Sequence, residues 1–136
     1  MDKERLSKQL VIHEGLRLKP YRCTSNKLTI GVGRNIEEVG ISEEESMLLL
    51  SNDIDRAYNE CYANFTWFSG LSDLQQEAMV NLIFNMGMST FKKFKKTIEH
   101  MQNGDYELAG AELLNSRYAE QVGQRAIEVA NQLAEK

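Results

Sequence analysis

The apolar pattern of the chain changes period early, and that change limits what it can fold into more than any other feature. Asp2 can cap a first helix in which Leu6, Leu10 and Val11 recur at three- and four-residue steps, with His13 and Glu14 following, and Gly15 stops it. From Leu16 to Val32 the period becomes two: "LRLKPYR" and "KLTIGVG" alternate apolar and polar residues around "CTSN", the pattern of a two-stranded hairpin. A third short strand is expected near Ile36 to Ile41.

Beyond that point the helical period returns and holds almost to the end. Ser42 with Glu45, and Ser72 with Gln75, form capping-box patterns ahead of "SMLLLSNDIDRAYNECY" and "QEAMVNLIFNMG". Leu74, Ala78, Met79, Leu82, Ile83 and Met86 place apolar groups around most of the second helix, which predicts a buried central helix stopped by Gly87. Shorter helices are predicted at Phe91 to Met101, Tyr106 to Leu114 and Gln124 to Leu133, with Trp67 and Phe68 packed against the bundle.

The expected fold class is α+β: a small antiparallel sheet lobe and a larger helical lobe, with a cleft between them suited to a long substrate. At 136 residues and 42% hydrophobic content the chain suits one domain, 1–136. The β-containing lobe is expected at about 14–45, and the helical lobe at about 46–136 together with the N-terminal helix 3–14.

Composition removes several function classes. No apolar run reaches the roughly 18 residues that span a bilayer, and "MDKERLSKQL" has no signal-peptide core, so no stable membrane insertion is expected. A net charge of -4 argues against nucleic acid as a partner, and "FKKFKK" reads as a solvated helix face. Cys23 and Cys61 share no zinc-like spacing with His13 and His100. Neither a metal nor another cofactor is expected.

Glu14, Cys23 and Thr29 carry the candidate chemistry. Singly, each has an ordinary explanation: a solvated helix-end glutamate, a small buried filler and a β-forming threonine. A carboxylate beside the last carbonyls of a helix meets partial negative charge, which suits it to hold and then donate a proton. Glycosidic cleavage needs such an acid, because the leaving oxygen must be protonated as the sugar gains oxocarbenium character.

The joint spacing goes further. Glu14, eight residues, Cys23, five residues, Thr29 and then "IGVGR" resembles the active-site signature of the phage-type lysozymes, glycoside hydrolase family 24, in its cysteine form. "EGLRL", "MVNLIFNMG" and "SRY" follow in the order of that family, so the resemblance covers nearly the whole chain. It implies a peptidoglycan-degrading muramidase that cuts the β-1,4 bond between N-acetylmuramic acid and N-acetylglucosamine during host lysis by a phage or prophage. By the same resemblance Glu14 is the general acid, Thr29 positions the attacking water and Cys23 replaces an aspartate. Phe84 and Asn85 fall on the cleft-lining block, and Arg125 matches a supporting arginine near the acid.

The role of Cys23 stays open at this level. A thiolate could stabilise the oxocarbenium ion or attack the sugar, or a thiol could help Thr29 orient the water. The family is mostly basic whereas this chain is acidic, and Arg34 stands where T-even relatives carry a histidine, so any ion pair there must be built differently. The expected protein is a monomer that waits in the host cytoplasm, reaches the wall through a separate holin-type pore and acts on peptidoglycan glycan strands. The alternatives are a catalytically inactive lysozyme-like wall-binding domain and a phage structural domain.

Overall fold

A computed structural model describes residues 1–135; Lys136, the last residue of the expected helical lobe, lies outside the described residues. Residue contacts divide the chain into Met1–Leu48 and the segment from Leu49 onward.

Met1–Leu48 begins with helix α1, Lys3–Glu14, whose N-terminus is closed by the Asp2 carboxylate accepting from the Arg5 amide at 2.9 Å. None of its residues is buried. Strands β1 (Arg17–Arg22), β2 (Leu28–Gly31) and β3 (Arg34–Asn35) follow as an antiparallel sheet in that order. Tyr21 faces Thr29 and Arg22 faces Leu28, while the register slips between Arg17 and Tyr21. Pro20 lies in that slip and has no N–H to give to a ladder.

The third strand sits earlier than the expected Ile36 to Ile41. Asn35 explains the shift: its side-chain oxygen accepts from the Glu38 amide at 3.0 Å, and the Val39 and Gly40 amides bond back to Asn35 and Ile36. Those bonds curl the segment into a turn before it can pair. Arg34 then fixes the hairpin by donating to the Gly40 carbonyl at 3.0 Å and to both carboxylate oxygens of Glu45, at 3.0 and 2.7 Å.

Helix α2, Glu43–Asn64, starts on the expected capping box: the Glu45 amide donates to Ser42 Oγ at 3.1 Å, and the Ser42 amide to Glu45 Oε1 at 2.8 Å. A 3₁₀ turn at Phe68–Gly70 leads to α3, Asp73–Met86, with the second box on Ser72 and Gln75. Helices α4 (Met88–Phe91), α5 (Lys95–Asn103), α6 (Tyr106–Leu114), α7 (Arg117–Val122) and α8 (Gln124–Ala134) complete the chain.

The core belongs to this helical unit. Phe68, Ala78, Met79, Leu82, Leu113 and Leu133 are fully buried, and Trp67 packs against them. Helix α3 is central as its sequence implies, except that Leu74 is exposed. Backbones of α6 and α8 approach so closely that a Cβ on Gly110 would lie 2.7 Å from the Ala130 carbonyl oxygen.

Two helical boundaries depart from expectation. Where one helix was expected from Phe91 to Met101, the chain turns at 92–94, with Phe94 donating to the Phe91 carbonyl and the two rings stacked 6.2 Å apart. Turning both rings inward outweighs continuing the helix. Helix α7 was not expected; Ser116 caps it and Gly123 ends it.

Candidate active site

The acid comes from the end of α1. Gly15, at φ +77°, donates its amide to the Val11 carbonyl at 2.8 Å and ends the helix at Glu14. The Glu14 side chain reaches the turn between β2 and β3, where it lies against Gly33: a Cβ on that glycine would come within 3.0 Å of Glu14 Oε2.

The thiol and the hydroxyl come from the β1–β2 hairpin. Its tip is tied by the Cys23 amide donating to the Lys27 carbonyl at 3.0 Å and the Asn26 amide donating to the Cys23 carbonyl at 2.8 Å. Asn26 takes the left-handed conformation at φ 59°, which asparagine tolerates better than most residues. Thr29, buried at 3% exposure, donates its hydroxyl to the same Lys27 carbonyl at 2.8 Å. One carbonyl oxygen therefore gathers Cys23 and Thr29.

The Lys27 backbone N–H, foremost, then that of Ser25, and more weakly the Thr29 hydroxyl, hold the Cys23 thiol below its usual pKa. Thr29 has one hydroxyl proton, committed either to the Lys27 carbonyl or to the sulfur. In the first case its lone pairs are free to accept from a water or from the thiol. In the second it stabilises a thiolate. Around this tip Arg22 pairs with Glu37 at 2.9 Å and Lys27 with Glu38 at 2.9 Å.

Cys61, in contrast, is fully buried among core side chains, and burial pushes its pKa up to about 12. Both thiols are free. Among the described residues no group of three or more His, Cys, Asp or Glu side chains could hold a metal ion, and no helix is long and apolar enough to cross a membrane.

The remaining expected site residues lie in the helical unit. Phe84 is 48% exposed, and with Leu50, Ile54, Val80 and Arg125 it lines a cavity of about 670 Å³. Arg125 donates to Asn81 Oδ1 through Nε at 3.0 Å and Nη2 at 2.7 Å. Asn85 lines a separate cavity of about 380 Å³ with Arg117, Tyr118 and Gln121. The buried Tyr118 hydroxyl there has no hydrogen-bond partner.

Sequence reasoning passed over Gly33, Lys27 and Tyr118. Gly33 and Tyr118 sit inside the quoted blocks "TIGVG" and "SRY", so position could have flagged them. Nothing in the sequence shows that Lys27 acts through its backbone.

A small three-stranded antiparallel sheet followed by a helical array is the α+β architecture of a lysozyme-like glycoside hydrolase. A family model described as Phage lysozyme matches residues 11–132, and the chain belongs to that family. It is 33% identical over 117 residues to the endolysin of Acyrthosiphon pisum secondary endosymbiont phage 1, covering 83% of this chain and 77% of that one. Similarity to a probable T4-type lysozyme 2 of Dictyostelium discoideum is 28% over 150 residues, 89% and 88% of the two chains. To the SAR-endolysin of Escherichia phage Mu it is 31% over 112 residues, 79% and 63% of the two chains.

Proposed function

We propose that the protein is a peptidoglycan muramidase in which Glu14 protonates the glycosidic oxygen between N-acetylmuramic acid and N-acetylglucosamine. Thr29 orients the attacking water, and Cys23 assists at the same carbonyl-tied corner. The observation that carries this reading is the Lys27 carbonyl, which fixes Cys23 and Thr29 as a pair while α1 ends on the acid.

Protonation of the leaving oxygen removes the need to expel an alkoxide, and a positioned acid contributes about 10²–10⁴-fold. The Thr29 hydroxyl, pinned by a short hydrogen bond, offers its lone pairs in one direction, which suits holding a water rather than attacking the sugar. Phe84 offers an exposed ring for a sugar face, and Asn85 an amide for its hydroxyls or N-acetyl group. Arg125, held by Asn81, shapes the wall beside Phe84.

The enzyme acts on the bacterial cell wall during lysis. Before release it is held in the host cytoplasm as a monomer, and a separate holin-type pore admits it to the wall. No observation favours an inactive wall-binding domain.

Digestion of purified sacculi tests the reading. The expected products end in reducing N-acetylmuramic acid; fragments ending in reducing N-acetylglucosamine, or no release, contradict it. Cys23→Asp is expected to stay active. Loss in Cys23→Ser together with block by an alkylating agent supports a thiolate, whereas full activity makes Cys23 a spacer. Cys61→Ala is the control for alkylation elsewhere.

A further inference from the structure

Glu14 does not hang free at the end of α1; its carboxyl rests on a specific piece of backbone. At Gly33 an added Cβ would lie 3.0 Å from Glu14 Oε2 and 3.3 Å from both Cδ and Cγ. Three consecutive side-chain atoms of the acid thus border the space where any other residue would carry its side chain. An approach of 3.0 Å requires the neighbour to give by a few tenths of an ångström, and the part able to give is the acid itself.

The seat is also anchored. Gly33 is followed by Arg34, whose guanidinium grips both oxygens of Glu45 and the Gly40 carbonyl. The turn bearing Gly33 is therefore a poor candidate for yielding. On the other side Gly15 ends α1 with its amide on the Val11 carbonyl, which fixes the backbone from which the acid projects.

We propose that Gly33 is a positioning residue for the acid: its bare α-carbon forms the seat of the Glu14 carboxyl, and any side chain at 33 displaces the proton donor from the glycosidic oxygen. This rests on the muramidase reading for its catalytic consequence, but the seat itself can be tested without turnover.

Gly31 provides the matched control. It lies two residues earlier in the same hairpin and has φ +71° against +64° at Gly33, yet a Cβ there meets nothing within 4 Å. Alanine at either position suffers the same left-handed strain, so both variants should lose several degrees of melting temperature. Only alanine at 33 also meets the acid.

The experiment compares Gly33→Ala with Gly31→Ala in melting temperature and in kcat and KM for release of reducing ends from sacculi. It adds a nuclear Overhauser contact between the Glu14 γ-protons and Gly33 α-protons in the wild type. The expected result is a similar melting loss in both variants, with kcat down several-fold in Gly33→Ala alone, because a shift of a few tenths of an ångström falls short of the full ångström that costs about 100-fold, and KM little changed. The Glu14–Gly33 contact is expected in the wild type.

Equal kcat in the two variants, or absence of that contact, overturns the proposal. Should Gly33→Ala fail to fold, the wild-type contact decides alone. If the wild type shows the contact but releases no reducing ends, the seat stands and the muramidase reading falls.

Discussion

In Met1–Leu48 a single side chain, Thr29, is buried, whereas from Leu49 onward Phe68, Met79, Leu82, Phe91, Met101 and Leu113 are all at 0–1% exposure. Ion pairs are distributed the other way. Of the seven among the described residues, six lie in the first unit, leaving Arg56 with Asp53 for the second. The helical unit is held by water exclusion, and the unit bearing Glu14, Cys23 and Thr29 by hydrogen bonds, turn geometry and charge. The proposed chemistry sits on the part with little apolar burial, where local opening should cost least.

The largest way to break this comparison is to open the apolar core. Phe68→Ala should cost about 3–5 kcal/mol, read by denaturant unfolding, while the rate per folded molecule stays that of the wild type. A parallel loss of that rate would mean the two regions are not independent in what they contribute.

Gly110→Ala sharpens the same point on a smaller scale. Its methyl group must push α6 from α8, at about 1–3 kcal/mol, and its unfolding midpoint should fall without change in KM. An unchanged midpoint would show that the α6–α8 approach is looser than the 2.7 Å contact implies.

Native-state hydrogen exchange should then rank the regions. Amides of β2 and β3 are expected to exchange through local opening, well before those of Met79 and Leu82 in α3. Equal protection would remove the contrast altogether.

The smallest effect is acid sensitivity at Glu45. The Arg34 guanidinium, foremost, and the Ser42 backbone N–H hold its carboxyl down at about 2, against an ordinary 4.5. Because the folded value is depressed, the stabilisation is fully present above about 4.5 and is lost as pH falls from there towards about 2. The Glu45 carboxyl carbon shift should titrate near 2, and in Arg34→Met at a higher pH that still lies below the ordinary value, because the Ser42 backbone N–H remains. A midpoint unmoved by that substitution would rule out the ion pair as the cause. Both side chains are about 40% exposed, so the effect on unfolding should be modest.

Legibility followed the range of the interactions. Both capping boxes were readable because Ser42 with Glu45, and Ser72 with Gln75, satisfy each other three residues apart. The hairpin that carries Cys23 and Thr29 was readable for a related reason: its period-two strands and its tip lie within a short run of chain, where the Lys27 carbonyl ties the two residues. The break at 92–94 was hidden because Phe91 and Phe94 answer to the core rather than to helix propensity. The early third strand depended on the Asn35 side chain choosing the Glu38 amide. Gly33 appeared only as part of a motif, since its contact with Glu14 requires the turn's three-dimensional path.

The measurement that bears most directly on the account pairs two numbers for Glu14→Gln: the initial rate of reducing-end release from purified sacculi, and the melting temperature. The prediction is a rate reduced by at least about 100-fold, within the contribution of a positioned acid, at an unchanged melting temperature. A folded Glu14→Gln protein that still releases reducing N-acetylmuramic acid at the wild-type rate would contradict it.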